Sequence, residues 1–284
     1  MSVVEFYDAY CNLFALQHNW LLKGEIMLPA LRRARIIELL RRDGAAGLKQ
    51  MSEALSVSVS TLRRDVDYLC EHGHLERTHG GAMLNDGRQL GIELEREIAS
   101  ELESDAKRAI GERAAALIEA GQTVILDSGT TTAAIARAIR PRNIRFTAIT
   151  NDIAIAAILS DNSLIHVMVT NGSIRPGTST LLGVDTVLYL KRLRTDLAFI
   201  GTHALSEEEM SDTSLELGEL KRTIIATAKK SVLVADSSKM FGRAFCSFGS
   251  ITDVHHLITD SRLPDEKREA LERNGIRIDL VPIT

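Results

Sequence analysis

The chain has 284 residues, which is enough for about two domains. Its 45% hydrophobic and 25% charged residues are typical of a globular protein and exclude an intrinsically disordered chain. No apolar run approaches the ~20 residues of a membrane span, and the start lacks the blocks of a secretory signal. The three cysteines lie far apart: Cys11, Cys70 and Cys246. We therefore expect no disulfide framework and no metal site, in a cytoplasmic protein that does not bind membranes.

Charge is distributed unevenly along the chain. The formal net charge is −4, yet residues 30–82 contain 9 Lys or Arg against 7 Asp or Glu, which gives this segment +2. The rest of the chain therefore carries −6. A locally positive segment on an acidic protein is typical of a regulator that must dissociate from DNA.

Residues 1–28 are predicted to form an N-terminal extension. They concentrate a large share of the aromatic side chains in one short piece: Phe6, Tyr7, Tyr10, Phe14 and Trp20. Two interpretations stay open. The segment is either an extra amphipathic helix that packs on the protein or a partner, or an upstream misreading of a start at Met27.

Helical spacing then predicts three helices. The first runs from Leu31 to Arg42, and Gly44 ends it. Residues 46–65 are predicted to form a helix-turn-helix motif, in which Ser58 caps the second helix of the motif. The apolar face of this second helix consists of Leu62, Val66 and Leu69. The open alternative is an ordinary helical hairpin with a solvated Arg-Arg pair.

Two short motifs favour DNA binding over that alternative. The order Ser58-Val59-Ser60-Thr61-Leu62-Arg63-Arg64-Asp65, followed by Arg77-Thr78-His79-Gly80-Gly81-Ala82, resembles the signature of the DeoR family of bacterial transcriptional regulators. Leu62 stands where the family usually has isoleucine. The resemblance implies a winged helix-turn-helix domain at 29–84 that binds double-stranded operator DNA. The implied DNA-binding residues are Ser58, Ser60, Thr61, Arg63, Arg64, Arg77, His79, Gly80 and Gly81.

After a linker predicted at 85–98, strands and helices alternate to the end of the chain. The predicted strands are 123–126, 144–150, 164–170, 197–200, 231–235, 256–259 and 276–281. The predicted helices are 105–120, 131–139, 152–160, 220–229 and 267–273. Such alternation indicates an α/β domain at 99–284 with a mainly parallel sheet.

The first strand of this domain leads into Leu126-Asp127-Ser128-Gly129-Thr130-Thr131-Thr132. This segment lies between a strand and a helix, where open α/β sheets place their ligands. Gly129 permits a tight turn, and the helix N-terminus with neighbouring hydroxyls can surround a phosphate. The alternative is a Ser/Thr-rich helix cap without a ligand.

Leu-Asp-Ser-Gly-Thr-Thr also resembles the hallmark of the DeoR family's C-terminal sensor domain. That domain is similar in fold to ribose-5-phosphate isomerase and binds a phosphorylated sugar or a related metabolite. The implied effector-binding residues are Asp127, Ser128, Gly129, Thr130, Thr131, Asn151, Arg175, Lys221 and Lys239. Asp127 as a helix cap and Lys221 as a solvated helix residue remain the alternatives. Two departures from the family pattern, Asn171 before Gly172 and Met240 before Phe241, predict a somewhat different sugar pocket.

The leading hypothesis is a transcription factor, most often a repressor in this family, that controls carbohydrate-metabolism genes and responds to a sugar phosphate. We expect a homo-oligomer, either a dimer or a tetramer, without a cofactor. The second hypothesis is a sugar-phosphate isomerase with an added DNA-binding module. Related isomerases carry an acid directly after the strand that corresponds to 197–200. The segment that follows here, Gly201-Thr202-His203-Ala204, has no carboxylate, which leaves Glu219 as the candidate general base. A third hypothesis, a structural protein, leaves both motifs unexplained.

Overall fold

The computed structural model describes residues 27–85 and 94–283. The aromatic extension at 1–26 and most of the predicted linker lie outside the described residues. The chain divides into two compact units, one ending at Leu84 and the other beginning at Asn85. Within the described residues, no helix is long and apolar enough to cross a membrane.

The N-terminal unit consists of three helices and a small antiparallel sheet. Its elements are α1 (Pro29–Asp43), β1 (Ala45–Gly47), α2 (Leu48–Leu55), α3 (Val59–Glu71), β2 (Leu75–Thr78) and β3 (Gly81–Leu84). The strands are ordered β1-β3-β2. Gly44, with φ of 76°, ends α1 as expected, and its N–H donates to the Leu40 carbonyl at 2.9 Å.

The core of this unit lies between the three helices. Leu62, Val66 and Leu69 on α3 are all fully buried, as the helical spacing predicts. They pack with buried residues of α1 and α2 that include Ile36 and Met51. Burial of each large apolar side chain contributes about 1.5–3 kcal/mol, so this face fixes α3 against the other two helices.

The C-terminal unit is an α/β domain. Its helices are α4 (Arg96–Glu101), α5 (Ser104–Ala115), α6 (Thr130–Ile139), α7 (Ile153–Ser160), α8 (Val184–Lys191), α9 (Leu215–Thr227) and α10 (Asp265–Glu272). Its strands are β4 (Thr123–Leu126), β5 (Phe146–Thr150), β6 (Ile165–Val169), β7 (Ser173–Ile174), β8 (Leu181–Leu182), β9 (Thr195–Ile200), β10 (Ala204–Leu205), β11 (Glu209–Asp212), β12 (Ala228–Val234), β13 (Cys246–Ser250), β14 (His256–Asp260) and β15 (Arg277–Val281).

Seven of these strands form one parallel sheet in the order β15-β14-β12-β9-β4-β5-β6. From β4 the chain proceeds outward to β5 and β6. It then crosses to β9, on the other side of β4, and proceeds outward in the opposite direction. The strand order therefore reverses between β4 and β9, which is the position where open α/β sheets form a ligand crevice.

Both faces of the sheet are buried. Successive side chains of a strand point to opposite faces, so neighbouring residues belong to different clusters. Leu126 and Phe199 belong to one buried cluster, with α5, α6 and α7. Ile125 and Ile200 belong to a second buried cluster, with α9 and the strands β10, β11 and β13. Near-continuous apolar strands such as Thr123–Leu126 are thus explained by burial on two sides.

Several predicted boundaries were wrong. The helix expected at 105–120 ends at Ala115. The helix expected at 220–229 begins at Leu215, because Ser214 accepts a hydrogen bond from the Leu217 N–H at 3.3 Å. It ends at Thr227, because residues from Ala228 onward pair with β9. The predicted linker was also wrong at its C-terminal end, because helix α4 begins at Arg96 within it. Sequence periodicity missed α4, the β7–β8 hairpin, helix α8 and an antiparallel sheet ordered β10-β11-β13.

His256 lies at the start of β14, and we expect it to make stability pH-dependent. Burial lowers its pKa, against the attraction of Asp279 at 3.2 Å. The unfolded chain therefore binds a proton below about pH 6.5 that the folded chain does not, and stability should fall as pH decreases through this value. Chemical denaturation at a series of pH values should show a flatter profile for His256→Gln than for the wild type. The matched His166→Gln variant removes an exposed histidine and should keep the wild-type slope.

Candidate DNA-binding and effector sites

The N-terminus of α3 presents polar and basic side chains to solvent. Ser58 caps this helix: its Oγ accepts from the Thr61 N–H at 3.2 Å and lies 2.9 Å from the Thr61 Oγ1. Arg63 and Arg64 are both exposed; Arg64 lies opposite the buried apolar face and Arg63 lies on its flank. This geometry leaves two guanidinium groups available to a major groove.

Asp65, which ends the Ser-x-x-Thr-x-Arg-Arg-Asp motif, is buried. Its carboxylate accepts from Arg32 and, at 3.2 Å, from Arg33 of α1. The Arg33 guanidinium also lies 3.4 Å above the ring of Tyr68 on α3. These contacts hold α3 against α1. Sequence reasoning missed this role, although an acid on the buried side of an amphipathic helix is itself a sign of a paired charge.

The wing is a β2–β3 hairpin with His79 and Gly80 in its turn. Arg77, predicted to contact DNA, is exposed and forms an ion pair with Asp67 of α3. Gly80 has φ of 90° and open space around it. Gly81 is buried, and a Cβ there would lie 2.1 Å from the Ala46 carbonyl oxygen. A glycine at 81 is therefore required by the approach of β1.

The predicted effector residues cluster at the carboxyl edge of the parallel sheet. Asp127 to Thr131 follow β4, and Asn151 follows β5. Gly201 follows β9, and its N–H donates to the Asp127 Oδ2 at 3.2 Å. Segments that are distant in the sequence thus meet at the point where the strand order reverses.

Gly129 is the N-cap of α6 and adopts φ of 134° and ψ of 169°, a conformation that disfavours other residues. No side chain caps this helix. A Cβ at Gly129 would meet only the Thr132 Oγ1, at 3.6 Å, which leaves room above the backbone. Ser128 is buried, whereas Thr130 and Thr131 are partly exposed.

A buried charge cluster lies beside this turn. The Lys221 ammonium on α9 is 2.5 Å from the Asp127 Oδ2, 3.3 Å from the Asp212 Oδ2 and 2.8 Å from the Gly201 carbonyl oxygen. Its side chain is 4% exposed, so Lys221 is not a solvated helix residue. Burial lowers the pKa of Lys221, but the two carboxylates outweigh this effect and raise it, so the side chain stays charged.

Two polar groups beside this turn are buried and have no hydrogen-bond partner among residues 27–85 and 94–283. They are the Asp127 Oδ1 and the side-chain amide of Asn151, of which both the nitrogen and the oxygen are unsatisfied. Asp127 is fully buried and Asn151 is 1% exposed. Leaving such groups unsatisfied costs about 1–3 kcal/mol each, so a polar ligand that forms hydrogen bonds with them would be favoured here.

The remaining predicted effector residues lie on neighbouring segments. Arg175 belongs to the turn of the β7–β8 hairpin, which is joined to the β5 loop because the Leu181 N–H donates to the Asn151 carbonyl at 2.7 Å. Lys239 ends a short 3-10 helix, Ser237–Lys239, that follows β12. Glu219, the candidate base of the isomerase hypothesis, is half exposed and lies 3.6 Å from Lys191.

Two family models match the chain. The DeoR-like helix-turn-helix domain matches residues 32–88, and the DeoR C terminal sensor domain matches residues 102–261. The chain belongs to the DeoR family. It is a DNA-binding transcriptional regulator, and the isomerase hypothesis is not supported.

Relatives of this DeoR-family chain are similar over most of their length. The HTH-type transcriptional regulator GlpR of Haloferax volcanii is 34% identical, over 89% of this chain and 98% of that protein. The glycerol-3-phosphate regulon repressor of Haemophilus influenzae is 30% identical, over 82% and 90%. Among solved structures, ribose 5-phosphate isomerase A of Methanocaldococcus jannaschii matches 49% of this chain and 55% of that chain, at 17% identity and a TM-score of 0.36.

Proposed function

We propose that the protein is a repressor of carbohydrate-metabolism genes that responds to a phosphorylated sugar or a related metabolite. The observation that carries this proposal is the pair of unsatisfied buried groups, Asp127 and Asn151, beside the glycine-capped N-terminus of α6. The proposed domains are a DNA-binding domain at 29–84, a linker at 85–98 and an effector domain at 99–284. The protein acts in the cytoplasm as a dimer or tetramer bound to double-stranded operator DNA.

In this proposal α3 reads the operator. Arg63 or Arg64 forms bidentate hydrogen bonds with guanine in the major groove. Ser58, Ser60 and Thr61 at the start of the helix contact phosphates and set its register, together with Arg77, His79 and the glycines of the wing. Support comes from the exposure of both arginines and from the Asp65 ion pairs, which hold α3 without using either of them.

The effector's phosphate binds at Ser128 to Thr131. There the backbone N–H groups of the first turn of α6, with the positive end of the helix dipole, favour an anion. Asn151 then binds a sugar hydroxyl, for which a side-chain amide offers both a donor and an acceptor. The unpaired Asp127 Oδ1 accepts from a second hydroxyl.

Lys221 has a different task from the other cations. An ammonium group has three donors, and the Lys221 nitrogen already faces Asp127, Asp212 and the Gly201 carbonyl. Lys221 therefore acts on the effector through Asp127, whose carboxylate it orients. Arg175 and Lys239, on partly exposed segments, supply the positive charge that balances a phosphate dianion.

Arg64→Ala should weaken specific operator binding by about 1–3 kcal/mol, or 5- to 150-fold, because a bidentate base contact is lost. Folding should be unaffected, since Arg64 faces solvent. Fluorescence anisotropy with promoter DNA from upstream of its own gene, alongside circular dichroism, measures both. Arg35→Ala, which removes an exposed arginine of α1, is the control and should bind normally. A folded Arg64→Ala protein with wild-type specific affinity would disprove the assigned reading face.

Thermal-shift screening tests the effector. Because a ligand that binds only the folded form stabilises it, a sugar phosphate at 100 times its Kd should add about 2.7 kcal/mol. We expect at least one of ribose 5-phosphate, glycerol 3-phosphate and related sugar phosphates to raise Tm. Its unphosphorylated counterpart should not. No shift with any phosphorylated compound contradicts the proposed effector class.

A further inference from the structure

Helix α4 is joined to the effector edge by a partly buried arginine. The Arg96 Nη1 donates to the Asp152 Oδ2 at 2.8 Å and also to the Ser179 hydroxyl. Ser179 in turn donates to the Asp152 Oδ1 at 2.8 Å. Asp152 is fully buried, while the Arg96 side chain is 23% exposed. One guanidinium thus joins α4 to the loop after β5 and to the β7–β8 hairpin.

That loop and that hairpin are hydrogen-bonded to each other beside the proposed effector residue Asn151. Asp152 directly follows Asn151 and caps α7 by accepting from the Ala154 and Ile155 N–H groups at 2.9 and 3.1 Å. The Ile153 N–H donates to the Ser179 carbonyl at 3.0 Å. A ligand that displaces Asn151 therefore also displaces both acceptors of Arg96.

The other end of α4 is joined to a second effector segment. Glu103, two residues past the end of this helix, pairs with Arg262 at 2.5 Å, and the Arg262 Nε donates to the Asp260 Oδ1 at 2.8 Å. Asp260 also accepts from the Ser237 N–H at 2.7 Å. Ser237 begins the 3-10 helix that ends at Lys239. The start of α4 therefore contacts the loop of Asn151 directly, and the residue two past its end is connected to the Lys239 segment through Arg262 and Asp260.

We propose that Arg96 is a positioning residue that transmits effector occupancy to α4, the first helix of the C-terminal unit, with Glu103 and Arg262 as a second connection. The inference rests on the proposed function and names the regulation of that same site. Effector binding changes the position of the Asn151–Asp152 loop, and Arg96 makes α4 follow. Two states of α4 then differ in their affinity for the effector, which is the condition for coupling to DNA release.

A purely structural role for Arg96 predicts something different. If Arg96 served only to neutralise buried Asp152, its loss would lower Tm and leave the link between effector and DNA unchanged. The informative quantity is therefore the coupling factor, defined as the ratio of operator Kd values with and without saturating effector. Coupling factors of about 5–150 are typical of allosteric proteins.

The experiment compares the full-length wild type, Arg96→Met and Glu103→Gln, with ribose 5-phosphate, glycerol 3-phosphate and inorganic phosphate as probes. Calorimetry measures probe binding, and anisotropy with promoter DNA from upstream of its own gene measures the coupling factor. We expect Arg96→Met to bind probe and DNA separately but with a coupling factor near one. Arg96→Lys, which keeps the charge, should recover part of the coupling. Arg108→Met, on the exposed face of neighbouring α5, is the matched control and should couple normally.

Hydrogen exchange gives a second readout. Probe binding to the wild type should change exchange both in the 150–155 loop and in α4, and in Arg96→Met only in the loop. Should Arg96→Met fail to fold, Glu103→Gln, which removes a charge from the more exposed connection, should still lower the coupling factor. Full coupling in either folded variant, or loss of probe binding itself, overturns the inference while the proposed function stands. If no probe binds the wild type, the proposed function fails and this inference fails with it.

Discussion

Lys221→Met should destabilise the effector domain by about 3–5 kcal/mol, because it leaves two buried carboxylates without their counter-ion. Asp127 is fully buried, and Asp212 is nearly so. The ammonium of Lys221 lies within 3.3 Å of a carboxylate oxygen of each. Chemical denaturation followed by circular dichroism, with the free energy of unfolding extrapolated to zero denaturant, measures the loss.

The charge argument is separated from packing by a compensating variant. Asp127→Asn and Asp212→Asn added to Lys221→Met remove every charge of the cluster, and most of the lost stability should return. Lys229→Met is the matched control, because Lys229 pairs with Asp196 on the surface with its own side chain 76% exposed. Such an exposed pair contributes little to stability, because solvent screens it. A Lys221→Met protein as stable as the wild type would show that the carboxylates are not both ionised.

Gly129→Asp should abolish sugar-phosphate binding and leave operator binding intact. The new carboxylate occupies the open space above the Gly129 backbone and repels a phosphate, and a side chain at φ of 134° strains the turn. The proposed DNA-binding residues belong to the other compact unit. Calorimetry with a sugar phosphate measures the loss of effector binding, and anisotropy with operator DNA measures the retained DNA binding. A repressor altered in this way should keep its genes off in the presence of inducer.

Two variants distinguish blocking from backbone strain. Gly129→Ala imposes the same strain without charge, and its Cβ meets only the Thr132 Oγ1 at 3.6 Å, so it should bind more weakly but measurably. Gly275→Asp adds an acid at another glycine with positive φ, in the turn before β15, and should bind like the wild type. Full affinity in Gly129→Asp, or equal affinity for sugar and sugar phosphate, means that the turn is only a helix cap.

The DNA-binding unit could be largely predicted because its signals are local. Ser58 as a cap, Gly44 as a stop and the spacing of Leu62, Val66 and Leu69 each depend on residues within one or two turns. Asp65 could not be placed in the same way. Its partners Arg32 and Arg33 lie more than 30 residues away, and a charged residue in sequence gives no sign of which distant charge it faces.

In the C-terminal unit, contacts between distant segments decide even more of the structure and are equally hidden in the sequence. Strand-to-helix turns after β4 and β5 were predictable, because parallel strands bring their carboxyl ends to one edge. The sequence left open whether Lys221 is a solvated helix residue, since its burial depends on three groups from separate segments. The short strands β7, β8, β10 and β11 have too few residues to show the alternation of apolar and polar side chains by which a strand is recognised. Tertiary pairing, rather than local propensity, decides them.

The ion pairs of Asp65 have a consequence for engineering. Because α3 is oriented by Asp65 and by the buried leucines, the exposed positions Ser60, Arg63 and Arg64 are not needed to hold the scaffold together. They form an exchangeable surface. From the proposed reading face we expect that substituting these three positions together, while Asp65 and its two arginines are kept, redirects the protein to a different promoter and leaves the effector domain unchanged.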